Sequence, residues 1–363
     1  MRIAYAFLCL FLLASALPST AQPNPETKID KIITQAMTKE GFPGMEVAVV
    51  RQGKVVFKKA YGVKAEGSDE KTDENTIFSI GSVSKAFTGI GIMLLVQNGK
   101  VALDDPIKKY MKNLPDAWGN ITIRQYMTHT SGIPELKGIK DDGSFDESIK
   151  IAVSRPMSFS PPGKRQQYNN FNFAVMGKLI ETVSGLTYLD FMDKYIFHPV
   201  QMTRTGLNPN AENVAMGHML NKNGKWKLIK THFQPGDYGL SSGGLQTTLT
   251  DFIRLSQALT GTSLLNKKTE DAMWTPYSPR LSNTPGWHSR QGASGIVIHK
   301  GGGGTGIGSV CDFTIVPSQN LYVVVMANKD KNQISPSAIS NDILKECYGI
   351  PDDGKGPDDG EGN

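Results

Sequence analysis

Cysteine is scarce in this 363-residue chain: Cys9, Cys311 and Cys347 are the only three. That excludes a fold stapled by a disulfide framework. Histidine is also sparse, and the six present form no cluster with metal-ligand spacing, so no metal or other cofactor is expected. No run of Lys and Arg is interleaved with aromatic residues, and the formal net charge is only +5, so nucleic acid is not an expected partner. Beyond the N-terminus no apolar stretch is long enough to cross a bilayer.

The N-terminus itself differs from the rest. Arg2 precedes an apolar run from Ala6 to Ala16, and Ser19-Thr20-Ala21 offers a small-x-small cleavage site. Residues 1–21 therefore read as a signal peptide, and the mature protein is expected to be soluble and periplasmic or secreted. An oxidising compartment permits a bridge between Cys311 and Cys347; two free thiols are the alternative. The remaining chain, 39% hydrophobic and 20% charged, suffices for one large domain or two intertwined subdomains.

Local patterns organise residues 22–350. Ile29, Ile32, Ile33 and Met37 recur at helical spacing, with Gly41 as a stop. Met45 to Arg51 and Lys54 to Tyr61 read as a hairpin around Gln52-Gly53. Ile296 to Ile298, Ile307 to Val316 and Leu321 to Met326 are strand-like, and Ser335-Pro336 starts a final helix. The middle reads as mostly helical, with helices from about Ser82 to Gln97, after Asn170 and from near Thr248. The expected fold is α+β. An antiparallel sheet and its helices would come from about 23–81 and 286–350, with an inserted helical subdomain over about 82–285. Residues 351–363 have almost nothing to bury and read as a disordered tail.

Three constellations carry chemistry. In Ser82-Val83-Ser84-Lys85, positions i and i+3 share a helix face, so the Lys85 amine can reach the Ser82 hydroxyl. A serine hydroxyl needs a neighbour to take its proton, and a helix start adds partial positive charge and free N–H groups. A Ser-x-x-Lys arises about once or twice by chance in a chain of this length, so the motif alone is weak. Tyr168-Asn169-Asn170 follows Pro161-Pro162-Gly163 on a loop. A phenol ionises at about pH 10, but a cation about 4 Å away is worth roughly 4 kcal/mol at an effective dielectric of 20, about three pH units. A buried tyrosine and a helix-capping asparagine are the plain alternative. The third constellation is His299-Lys300-Gly301-Gly302-Gly303-Gly304-Thr305-Gly306, where glycines let a strand edge approach a ligand. Its plain alternative is a glycine hairpin. A phosphate loop is disfavoured because no helix follows.

Taken in order, the three motifs resemble those of class C β-lactamases, DD-peptidases and their esterase relatives. Met127 to Pro134, Ser242-Gly243-Gly244-Leu245 and Ile315-Val316-Pro317 add to the likeness, which runs from about Ile29 to Gly349. The resemblance implies a β-lactamase/DD-peptidase-like fold and a serine hydrolase acting through an acyl-enzyme on Ser82. Lys85 and Tyr168 would move the proton, and Asn170 would position the substrate. Lys300 would lead the third motif, with His299 as its rival. Gly301 and Gly303 would line the site, and the N–H groups of Ser82 and Gly303 would receive the oxyanion. His129 would be part of a structural turn. One departure is Gly301, where β-lactamases and carboxypeptidases usually carry a hydroxyl that holds a carboxylate. The resemblance thus favours a small ester or a D-amino-acid-containing peptide over a β-lactam. D-alanyl-D-alanine carboxypeptidase or β-lactamase activity is the alternative, and a non-catalytic penicillin-binding or assembly protein a further one.

Overall fold

A computed structural model describes residues 24–136, 143–207, 211–220, 223, 225–229, 238–278, 281–292, 295–303, 307–330 and 333–351. The N-terminal stretch read as a signal peptide and the residues beyond Pro351 read as a tail lie outside the described residues, as do Gly304 to Gly306 of the glycine run. The helices are α1 (Pro25–Glu40), α2 (Ser84–Gln97), α3 (Asp116–Gly119), α4 (Ile123–Met127), α5 (Phe145–Val153), α6 (Asn170–Ser184), α7 (Tyr188–Met192), α8 (Leu249–Thr260), α9 (Lys267–Trp274) and α10 (Pro336–Tyr348). The strands are β1 (Gly44–Arg51), β2 (Lys54–Gly62), β3 (Phe78–Ser79), β4 (Gly217–Leu220), β5 (Trp226–Ile229), β6 (Gln246–Thr247), β7 (Asn283–Thr284), β8 (Trp287–Gly292), β9 (Gly295–Gly302), β10 (Val310–Val316) and β11 (Leu321–Ala327).

Seven strands form one antiparallel sheet in the order β2-β1-β11-β10-β9-β8-β7. Both ends of the chain meet in it, because β1 pairs with β11 from Met45↔Ala327 to Arg51↔Leu321. Period-2 alternation divides each strand between two cores. Met45, Val47 and Val49 of β1, with Val323 and Val325 of β11, pack on Ile29 and Ile33 of α1 and Ile339, Ile343 and Leu344 of α10. Ala48 and Val50, with Val324 and Met326, face the opposite side and join the core built around α2 and α6. With both faces covered, β1 and β11 read as nearly unbroken hydrophobic runs.

Helix ends follow the local chemistry of the sequence. Gly41 and Gly185 close α1 and α6 in the left-handed conformation, at φ 63° and 73°. The Thr248 and Ser335 side chains cap α8 and α10 by accepting from the Asp251 and Ala338 N–H groups. Ser84 to Leu95 of α2 is buried on every side, so it is a core helix. The stretch read as helical also contains strands: the β4–β5 hairpin, β6 and the sheet edge at β7. Cys311 is buried and Cys347 half-buried, and both are free, so the two thiols are not bridged.

Candidate active site

The chain approaches α2 through a short 3-10 turn at Gly81–Val83, which carries Ser82. Gly81 is left-handed at φ 50°, and a Cβ there would lie 2.6 Å from the backbone nitrogen of Gly303. A Cβ on Gly302 would lie 2.1 Å from the Ile80 carbonyl oxygen and 2.9 Å from the Ser82 nitrogen. The bare edge of β9 therefore presses on the turn at van der Waals range. The backbone nitrogens of Ser82 and Gly303 thus lie on facing sides of one close contact.

Lys85 lies one turn into the helical run, its side chain wholly buried. Its ammonium donates to Ser82 Oγ at 3.0 Å, Asn170 Oδ1 at 2.8 Å and the Ser242 carbonyl at 2.7 Å. Three donors thus meet three acceptors, which offsets the cost of burying the charge. The Ser242 carbonyl is presented by a π-helical turn at Leu240–Gly244 that packs against α2. Tyr168, on the loop before α6, places its Oη 2.6 Å from Ser82 Oγ. Lys85 Nζ also sits 4.8 Å from the Tyr168 ring centroid.

Lys300 is 1% exposed, and its Nζ lies 5.2 Å from the same ring, on the third motif's side of the site. His299, the rival for that position, meets His288 of β8 in a tilted ring contact, with centroids 5.4 Å apart. Gly301 and Gly302 pair with Asp312 and Cys311 of β10. The structure therefore brings Ser82, Lys85, Tyr168, Asn170 and Lys300 together, with the Gly301–Gly303 edge alongside.

Two further histidines surround this group. His129, left-handed at φ 57°, accepts from the Asn169 N–H through Nδ1 at 3.2 Å. Its ring rests against Tyr168 at 4.6 Å and Phe173 at 5.3 Å. Burial, then the nearby Lys300 and Lys85 charges, hold the imidazole well below its usual range, so it supports the tyrosine as a neutral ring. His288 faces Lys300, with Nε2 3.1 Å from Nζ. Sequence reasoning did not single out His288 or the Ser242 carbonyl as partners of the two lysines. For Ser242 the only signal was its place in a family-like stretch; His288 carried none.

A sequence profile of the family described as Beta-lactamase matches residues 29–344, and the chain belongs to that family. It is 28% identical over 267 residues to "Beta-lactamase" of Escherichia coli (strain K12), covering 72% of this chain and 68% of that protein. It is 25% identical over 330 residues to "Protein flp" of Staphylococcus aureus (strain N315), covering 86% of this chain but only 64% of that protein's length. Among solved structures, the octameric penicillin-binding protein homologue from Pyrococcus abyssi superposes with a TM-score of 0.77 at 25% identity, covering 90% of this chain and 78% of that one.

Proposed function

We propose that the protein is a serine hydrolase that cleaves an ester or amide through a covalent acyl-enzyme on Ser82. The observation that carries the reading is the contact of one hydroxyl with both a phenol and an ammonium, at 2.6 and 3.0 Å. Tyr168 Oη takes the Ser82 proton as Oγ attacks the substrate carbonyl. The two ammoniums beside the Tyr168 ring favour its anionic form. The N–H groups of Ser82 and Gly303 receive the developing oxyanion. Tyr168, with Lys85, then returns the proton to the leaving group. Water attacks the acyl-enzyme by the same route in reverse, releasing the acid and restoring Ser82. Asn170 anchors Lys85 through Oδ1, leaving its amide N–H₂ to hold a substrate carbonyl.

Gly301 follows Lys300 without a hydroxyl, so this position offers no side-chain donor to a substrate carboxylate. This favours small esters or D-amino-acid-containing peptides. β-Lactams and D-alanyl-D-alanine peptides are the second reading, supported by the likeness to a protein named Beta-lactamase. The signal-like pattern of the N-terminal 21 residues supports an activity outside the cytoplasm, and among the described residues no helix is long and apolar enough to cross a membrane. Incubation with a fluorophosphonate, followed by peptide mass spectrometry, is expected to put the label on Ser82. A label elsewhere, or none, refutes the acyl-enzyme. Nitrocefin and a D-Ala-D-Ala peptide, run beside short-chain esters, separate the two substrate readings. Acylation that persists without turnover would indicate a binding protein instead.

A further inference from the structure

Lys300 is an ammonium on a flexible four-carbon stem, carried by a strand whose next three residues are glycines. Glycines supply no side chain to brace it. Its contact on the neighbouring strand is His288, which is 3% exposed and presents Nε2 at 3.1 Å from Nζ. An ammonium only donates, so Nε2 accepts and the imidazole proton sits on Nδ1. Burial and the Lys300 charge keep this ring well below its usual pKa, hence neutral. Among the described residues, the charges that act on it besides Lys300 come from Lys85 of α2, His129 of the turn after α4 and His299 on β9, and Tyr168 from the loop before α6 lies under the same ammonium.

We propose that His288 is a positioning residue that holds the Lys300 ammonium over Tyr168 without cancelling its charge. The inference rests on the acyl-enzyme reading above. A carboxylate at this position would fix the lysine equally well, but it would neutralise the field that favours the tyrosine anion. A hydrocarbon would leave the field but remove the acceptor that fixes the ammonium from β8. A neutral acceptor does both tasks, and it acts through Lys300 rather than touching substrate.

The test is the rate of Ser82 labelling by a fluorophosphonate, followed by intact mass spectrometry from pH 5 to pH 10, on the full chain. His288→Gln keeps a neutral acceptor and is expected to label within about threefold of wild type with an unchanged pH profile. His288→Glu is expected to move the acid limb of the profile up by about one pH unit, because the carboxylate offsets the Lys300 charge. His288→Leu is expected to slow labelling roughly 10- to 100-fold across the whole range, since a misplacement of about 1 Å can cost about 100-fold. If the Gln and Glu variants share one profile, the inference is overturned, even if the Leu variant fails to fold. If wild type itself does not label at Ser82, the hydrolase reading falls and takes this inference with it. Normal wild-type labelling with indifferent variants sinks the inference alone.

Discussion

Glu46 offers a quantitative test of how burial shapes stability in this fold. It sits in β1, wholly buried, and among the described residues neither carboxylate oxygen meets a hydrogen-bond donor in good geometry. Burial, reinforced by the charges of Asp73 and Glu74 and only partly opposed by the Leu249 N–H, pushes its carboxyl from 4.5 up to about 9. The folded protein therefore holds a proton that the unfolded chain releases near pH 4.5. Below that pH both states are protonated and Glu46 contributes no pH dependence. Between 4.5 and 9 the stability falls by about 1.4 kcal/mol per pH unit, because the unfolded state alone gains by ionising. The loss reaches roughly 3 kcal/mol at pH 7 and roughly 6 kcal/mol above pH 9. Glu46→Gln is nearly isosteric and cannot ionise, so it removes the slope. Its amide has buried donors to satisfy, which costs about 1–3 kcal/mol at every pH, so the slope decides the matter rather than the absolute value. Urea unfolding of both proteins at pH 5, 7 and 9 is expected to show the variant gaining on wild type by several kcal/mol across the series. Two stability curves that fall in parallel would refute the argument. The rate of Ser82 labelling should not change, because β1 lies three places from β9 in the sheet.

Two other substitutions probe the site's construction. Gly302→Ala would drive a Cβ to 2.1 Å from the Ile80 carbonyl oxygen, against backbone that cannot swing away. It is expected to cost about 3 kcal/mol, to lower Tm by on the order of 5 °C, and to abolish Ser82 labelling. A fully active, equally stable variant would show that β9 does not press on the Ser82 turn. Lys300→Ala is expected to slow labelling about 100-fold. His299→Ala removes a ring that meets His288 in a tilted contact but none of the groups around Ser82, and it should stay within about threefold. The reverse order would make His299 the leading residue of the third motif.

The sequence disclosed most where structure is local. Gly41 and Gly185, the Thr248 and Ser335 caps, and the Gln52-Gly53 hairpin each act within a few residues, so composition alone locates them. The sheet and its flanking helices were legible from the strand-like runs at both ends. Trp287–Gly292 was not read as a strand, because it lacks the alternating β-branched pattern and becomes one by pairing with β9. The candidate site divides in the same way. One helical turn relates Ser82 to Lys85, and spacing reveals it. That Tyr168 meets them depends on tertiary packing, and only the ordered set of motifs suggested it. The Ser242 carbonyl under Lys85 is a backbone atom with no side-chain signature. The approach of His288 to Lys300 is fixed by the packing of neighbouring strands, and the burial of Glu46 by helix α8 covering β1.

The position of β11 inside the sheet, between β1 and β10, also dictates an order of events. A polypeptide made from its N-terminus has β1, β2 and the Ser82 turn long before it has the strands they need. The hairpin must wait for Leu321–Ala327 to take its second neighbour, and the turn must wait for Gly302 and Gly303 to press on it. Such widely separated pairings carry a large loop-closure cost and are slow to form. The surroundings of Ser82 are thus completed late, by Gly302 and Gly303, and a nascent or prematurely stopped product carries Ser82 without them.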